Sequence, residues 1–194
     1  PLHGTVDATI AKTAVTATDD ASLQEEKPSK TANWGEVQIY GKPGGCVAGV
    51  FRFDISSYKG SPEVRKATLR LYAHKVKKDG GVFSVFGTYG RDWKEDTVTW
   101  SKGPSKGDRV TSLSVGRKGR YYEFDVTRYI SEMVRARKGY ATLWLEDESR
   151  QWREVQFASI RRDAARRPRL EVTTSSIPSV ADDAGAPETV SPRC

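Results

Sequence analysis

Arginines crowd one stretch near the C-terminal end of the chain. Five of them fall within nine positions: Arg161, Arg162, Arg166, Arg167 and Arg169. A guanidinium group is planar and matches a carboxylate with two parallel hydrogen bonds, whereas a lysine ammonium is a flexible point charge. Cations this close repel one another unless something compensates them. Two interpretations stay open, a solvated basic exterior and a site for a polyanion.

Further basic residues form shorter groups, some of them beside aromatic residues. They are Lys75, Lys77 and Lys78; Arg117, Lys118 and Arg120; and Lys27, Lys30 and Lys42, which flank Trp34. Aromatic rings among the charges add apolar faces on which sugar rings or bases can lie. A groove lined in this way would attract a polyanion, although a solvated surface explains any single lysine equally well.

The positive charge belongs to the central part of the chain. The 194 residues include 32 Lys+Arg and 25 Asp+Glu, a net charge of +7. Residues 175–194 carry a net charge of −2 and the charges of the first fourteen residues cancel, so the centre carries +9. No apolar run approaches the roughly 18 residues of a membrane span. The composition therefore permits an acidic polymer as partner and predicts no membrane insertion.

Metal chemistry has little support in the sequence. With two histidines and two cysteines, no zinc-binding spacing occurs. Paired carboxylates such as Asp19-Asp20 supply oxygen ligands, but a complete calcium-binding loop is absent. We therefore predict that no cofactor is required, and we take Asp20 as the best single ligand should a structural calcium ion bind.

Catalytic motifs are equally scarce. A nucleophilic triad needs a histidine positioned by an acid. His74 follows the alternation of its strand onto the outer face, where a solvent-facing histidine is the simpler interpretation. The GxSxG motif is absent. Residues 41–45 contain glycines but no following helix, so a hairpin turn is the simpler interpretation than a phosphate-binding loop.

Period-two alternation dominates the centre and indicates β-strands. Residues 67–73 place Leu69 and Leu71 on one face and Thr68, Arg70 and Tyr72 on the other. Alternation also predicts strands at 37–40, 51–53, 82–89, 97–101, 109–115, 120–126, 140–147, 152–158 and 168–174. Arg52 points away from its neighbouring phenylalanines, and Trp144 has the opposite parity to Leu143 and Leu145. Many short strands separated by Gly- and Pro-containing turns predict an all-β jelly-roll sandwich of two antiparallel sheets.

One short helix interrupts the strands. Ile130, Met133 and Val134 share one helical face, Thr127 is placed to cap the first turn, and Gly139 follows the last turn. The flanking segments have too few large apolar side chains to form a core. We predict an N-terminal extension at 1–13, a β-sandwich domain at 14–174 and a disordered linker rich in Pro, Ser and Ala at 175–194. The sequence leaves open whether Cys46 pairs with Cys194.

An ordered series of motifs runs through the central region: Val15–Ala21, Thr31–Gly35, Phe51–Ser56, Ala67–Tyr72, Trp93–Trp100, Phe124–Thr127, Val155–Ser159 and Pro168–Leu170. This series resembles the DNRLRE (disaggregatase-related) domains and, among their relatives, carbohydrate-binding module family 96. The resemblance spans roughly residues 15–174. It implies a jelly-roll accessory module of a secreted or cell-surface protein that binds alginate, a polyuronate.

We therefore expect a non-catalytic, monomeric, extracellular module within a multidomain protein. Its ligand would be an acidic polysaccharide held by Lys/Arg–carboxylate pairs and by stacking on aromatic rings. Charge and loop position give the candidate ligand-binding residues Lys27, Lys30, Trp34, Lys42, Arg52, Tyr89, Arg91, Arg161 and Arg162. A jelly-roll polysaccharide lyase and a structural or adhesin unit are the alternatives. We do not expect nucleic-acid binding, since no recognition helix or aromatic RNA-binding motif accompanies the charge.

Overall fold

The computed structural model describes residues 8–59, 63–90 and 92–176. Arg91, Cys194 and the predicted linker from residue 177 onward lie outside the described residues. In the part described, no helix is long and apolar enough to cross a bilayer.

Antiparallel strands account for most of the described chain. Their bounds are β1 (Thr9–Thr16), β2 (Asp19–Gln24), β3 (Glu36–Lys42), β4 (Gly45–Asp54), β5 (Glu63–Lys77), β6 (Gly81–Tyr89), β7 (Ser105–Val115), β8 (Arg120–Asp125), β9 (Tyr140–Glu146), β10 (Glu154–Ala158) and β11 (Arg169–Ser176). Helix α1 covers Thr127–Arg135, and short 3₁₀ turns lie at Ser56–Tyr58 and Ala164–Arg166. The predicted boundaries at residues 14 and 174 fall inside β1 and β11, which pair along their whole lengths.

The strands form two facing layers that are continuous at one side. Layer A contains β1, β11, β5 and β8 in that order. Layer B contains β2, β4, β9, β6 and β7. Strand β10 pairs with β5 and with β3, and β3 pairs with β4, so hydrogen bonding links the layers into one curled sheet. The predicted all-β sandwich with one short helix is confirmed.

The main core lies between the two layers, where alternation places the large apolar side chains. Phe51 and Phe53 of β4 face Leu69 and Leu71 of β5, and all four are fully buried. Phe124 and Phe157 meet edge to face at 6.4 Å in the same core. Each such side chain contributes roughly 1.5–3 kcal/mol by leaving water.

A second, smaller core covers the outer face of layer B. Trp144 points outward, opposite to Leu143 and Leu145, and is buried there with Val50, Trp93 and Val98. The half-buried Trp100 meets the Trp144 ring edge to face at 5.3 Å. The prediction of a strand at 97–101 is wrong: these residues form turns within a cover segment, residues 92–104. Their alternating apolar residues pack onto the sheet instead of pairing within it.

The helix matches its predicted apolar face but not its predicted ends. Ile130, Met133 and Val134 are buried. The capping acceptor is Asp125, whose Oδ1 accepts the Thr127 N–H at 2.9 Å, while Thr127 Oγ1 accepts the Ala67 N–H. The helix ends at Arg135, four residues before Gly139, and Arg137 takes a left-handed φ of 54°. Thr127 is thus the first helical residue and its hydroxyl ties α1 to β5.

Arg52 fastens the cover segment to layer B. It faces away from Phe51 and Phe53, as predicted, yet only 2% of it is exposed. Its guanidinium donates to Asp19 Oδ2 of β2 at 2.9 Å, pairs with Asp92 Oδ1 of the cover segment at 2.7 Å, and lies 3.5 Å from the ring centroid of Tyr140 in β9. Arg52 is therefore an internal cross-link rather than a surface cation.

Asp19 is ionised beside this guanidinium. Burial alone would raise its pKa, but hydrogen bonds from Thr18, the Glu95 N–H and Arg52, with Lys94 nearby, together lower the pKa below its usual value. A buried carboxylate that loses its cation costs several kcal/mol.

We expect the substitution Arg52→Met to lower the free energy of unfolding by about 3 kcal/mol, because it leaves the Asp19 carboxylate buried without its guanidinium partner. Urea denaturation at neutral pH measures the change. The matched control is Arg65→Met, whose guanidinium is 55% exposed in a surface pair with Glu63 and should change stability by no more than about 0.5 kcal/mol. Equal midpoints for the two variants would contradict the assigned role.

Candidate functional site

The predicted ligand-binding residues do not converge on one site. Trp34, Arg161 and Arg162 lie together, and Arg52 and Tyr89 line one cleft. Lys42 lies at the far end of β3, and Lys27 and Lys30 are exposed in the connection between β2 and β3. Arg91 lies outside the described residues. The set therefore divides among separate surfaces.

Arg161 and Arg162 are held by carboxylates that are distant in sequence. Arg161 donates two hydrogen bonds to Glu95, at 3.0 and 2.7 Å. Arg162 bonds to Glu36 Oε2 at 2.6 Å and donates from Nε to the Gly35 carbonyl at 3.0 Å. These internal pairs compensate the local repulsion and leave Trp34 exposed beside them.

Asp20 fastens the loop that carries these two arginines. Its carboxylate accepts the Ser159 hydroxyl and the Ile160 N–H, each at 2.7 Å, and is almost fully buried. Burial raises the pKa of Asp20 to about 6, against the hydrogen bonds that favour the charged form. Among the residues that the structure describes, no group of three or more His, Cys, Asp or Glu side chains could hold a metal ion. The geometry gives Asp20 a structural role.

Lys42 and Trp152 meet at the opposite end of the sandwich. The Lys42 ammonium is paired with Glu26 at 2.6 Å and lies 5.7 Å from the Trp152 ring centroid. Lys78 lies 5.9 Å from the same ring. Trp152 has a left-handed φ of 62° and its N–H donates to Gly41. Cation–π contacts thus hold both lysines against the Trp152 ring.

A different surface gathers basic and aromatic side chains, and we call it the arginine–tyrosine face: Arg70, Tyr72, Tyr121, Arg166 and Arg169 on the outside of layer A. Register places Arg70 between Arg169 of β11 and Glu123 of β8, and Tyr72 beside Tyr121. Their neighbours Leu69, Leu71 and Phe124 point into the core. The alternation that buries those residues therefore projects this set outward.

Stacking orients the guanidinium groups of this face. Arg70 lies 3.9 Å from the Tyr121 ring centroid and Arg166 lies 4.7 Å from that of Tyr72. The two tyrosine rings pack edge to face at 5.1 Å. The Tyr121 hydroxyl donates to the Ala165 carbonyl, and Arg169 donates to that of Ala164 at 3.2 Å. The 3₁₀ turn at Ala164–Arg166 is thus held against the sheet.

Cations outnumber carboxylates on and around this face. The neighbouring cations, none of which forms an ion pair with another described residue, are Lys75, Arg117, Lys118, Arg120 and Arg167. The neighbouring carboxylates are Glu123, Asp163 and Glu171. The face's own arginines pair only loosely: Arg70 Nε lies 3.5 Å from Glu123 Oε1, an Arg70 terminal nitrogen lies 4.0 Å from Glu171 Oε1, and Arg166 Nε lies 3.6 Å from Asp163 Oδ2. The cations in excess on this face can therefore pair with an added anion.

Comparison with known proteins decides the class of this β-sandwich. The family model described as carbohydrate-binding module family 96 matches residues 11–174. The chain belongs to this family. No curated protein matches it. The matched range of the family 96 module covers both layers, the cover segment and the arginine–tyrosine face.

Sequence reasoning reached only part of this face. The alternation at 67–73 already turned Arg70 and Tyr72 outward, and Arg166 and Arg169 were within the arginine cluster. Tyr121 was missed, although Arg120–Asp125 alternates in the same way. Pairing β5 with both β8 and β11 is what joins these segments in the family 96 module.

We expect Asp20 to make the stability of the family 96 module depend on pH. Since its pKa is raised to about 6 when folded, the folded state holds a proton between about pH 4 and 6 that the unfolded state has released. This contribution is present in acid and is lost as the pH rises through 6. On going from pH 7 to pH 4, wild type should gain about 1–3 kcal/mol relative to Asp20→Asn.

Urea denaturation at both pH values measures that difference. Comparing the two proteins cancels the contributions of the other carboxylates to the free energy of unfolding. Asp54 and Asp125, for example, have lowered pKa values and so make both proteins less stable in acid. Asp96→Asn, at a side chain that is 80% exposed, is the control. Wild type should show no such gain relative to this variant. A pH-independent difference between wild type and Asp20→Asn would refute the assignment.

Proposed function

We propose that this module binds an anionic polysaccharide, alginate or a related polyuronate, through the arginine–tyrosine face and without catalysis. The observation that carries the proposal is the excess of cations there, several of which form no ion pair with another described residue. Membership of a carbohydrate-binding family supplies the ligand class. The charge of +9 on the central region favours an acidic member of that class.

The proposed mechanism is multiple carboxylate pairing along one polymer. Because Tyr121 and Tyr72 already hold Arg70 and Arg166, these side chains lose less conformational entropy on binding than free ones would. Guanidinium edges can then pair bidentately with successive uronate carboxylates. The guanidinium groups occupy the two tyrosine rings, so aromatic stacking of sugar is not part of binding at this face. We place the module outside the cell, as a monomeric unit of a larger protein.

We expect the double substitution Arg70→Gln/Arg166→Gln to weaken binding to alginate at least tenfold at low salt, because it removes two stacked carboxylate partners. Wild-type affinity should also fall as salt rises, since exposed charges separated by more than a Debye length are screened. Titration calorimetry with alginate oligomers at two salt concentrations measures both effects.

The charge-matched control is Lys102→Gln/Arg135→Gln, two exposed cations away from this face. It should bind nearly as wild type does, and a loss equal to that of the double arginine variant would show a non-specific charge effect. Salt-independent binding, or no binding to any uronate polymer, would overturn the proposal. Ultraviolet absorbance of unsaturated sugar ends in the same samples would reveal a lyase, and equal retention on DNA in native gels would reveal a general polyanion binder.

A further inference from the structure

A cleft opens on layer B, across the sandwich from the arginine–tyrosine face. It lies where the last residues of β6 and the first residues of β9 meet the end of α1, and its volume is about 390 Å³. Tyr89 and Tyr140 line it and are 48% and 44% exposed. Pockets for small molecules range from about 300 to 1,000 Å³, so this volume suits one or two sugar rings.

Both tyrosine rings are fixed before any ligand arrives. The Tyr140 ring lies against the Arg52 guanidinium, which is itself locked by two carboxylates. The Tyr89 ring lies against Gly107, where an added Cβ would come within 2.4 Å of the ring carbon Cε2. Because residue 107 is a glycine, the Tyr89 ring packs directly against its backbone and is held there. Fixed, half-exposed rings bind a sugar at a small entropic cost.

The polar groups of the cleft are balanced in charge. Arg52 is saturated by Asp19 and Asp92, and the Asp92 side chain remains 70% exposed at the opening. Lys138 lines the other side. An exposed carboxylate accepts hydrogen bonds from sugar hydroxyls, and an ammonium donates to them. A uronate carboxylate, in contrast, would meet the negative charge of Asp92.

We propose that this cleft is a second glycan-binding site and that it takes an uncharged sugar ring, stacked on Tyr89 and Tyr140 with its hydroxyls bonded to Asp92 and Lys138. The site is independent of the arginine–tyrosine face, because the two surfaces share no residue and lie on different layers. Because the proposed ligand of this cleft is uncharged, unlike a uronate, its binding should not change with salt.

Titration calorimetry with neutral hexasaccharides of mannose, glucose and galactose tests the proposal. We expect at least one of them to bind wild type with the same affinity at low and high salt. Tyr89→Ala should weaken that binding at least tenfold. Tyr89 is not among the ion-pair or stacking partners of Arg52, so its removal spares the cross-link, and thermal unfolding of the variant confirms that it is folded.

Two comparisons separate this site from the arginine–tyrosine face. Trp152→Ala, which removes an exposed ring far from the cleft, should bind the neutral sugar as wild type does. Arg70→Gln/Arg166→Gln should also retain neutral-sugar binding, whether or not uronate binding is confirmed. The proposal is overturned if none of the three hexasaccharides binds, if Tyr89→Ala binds normally, or if the double arginine variant loses the neutral sugar.

Discussion

The buried Arg52 guanidinium is the constraint around which layer B is arranged. A cation that is 2% exposed must be paired, and its partners come from β2, β9 and the cover segment. Satisfying this one charge therefore fixes where residues 92–104 cross the sheet. That crossing buries Trp93 and Trp144 and leaves the cleft with Tyr89 and Tyr140 open beside it.

The outer face of layer B is covered and that of layer A is exposed, for a physical reason. The outer face of layer B carries Val50 and Trp144, whose apolar area must leave water, so the chain covers it. The outer face of layer A carries arginines and tyrosines, which tolerate solvent because the guanidinium groups stack on the rings and stay partly exposed. The proposed site for a charged polymer accordingly lies on layer A, and the proposed cleft for a sugar ring lies on layer B.

Period-two alternation was sufficient to predict toward which face of a sheet each side chain points, but not which segment of the chain covers that face. Alternation correctly placed Leu69, Leu71 and Phe51 in the core and turned Arg52 outward. It could not show that residues 92–104 cover Arg52, because covering depends on contacts between distant segments. The same limit explains the candidate site. Arg161 and Arg162 are close in sequence but are held at 2.7 and 2.6 Å by Glu95 and Glu36. Arg70 and Arg166 come together only because β5 pairs with β11, and their carboxylate neighbours lie at 3.5 Å or more.

The consecutive carboxylates Asp19 and Asp20 show how parity decides chemistry. Successive side chains of a strand point to opposite faces, so Asp19 reaches Arg52 outside layer B while Asp20 reaches Ser159 and Ile160 after β10. Both are buried, yet a guanidinium faces the first and neutral donors face the second. Burial raises the pKa of Asp20, and the hydrogen bonds from its neutral donors only partly oppose this effect. At Asp19 the hydrogen bonds, including that from Arg52, outweigh burial and lower the pKa. Two carboxylates held on opposite sides of one strand cannot both ligate a single ion, and each instead fastens a different loop to β2.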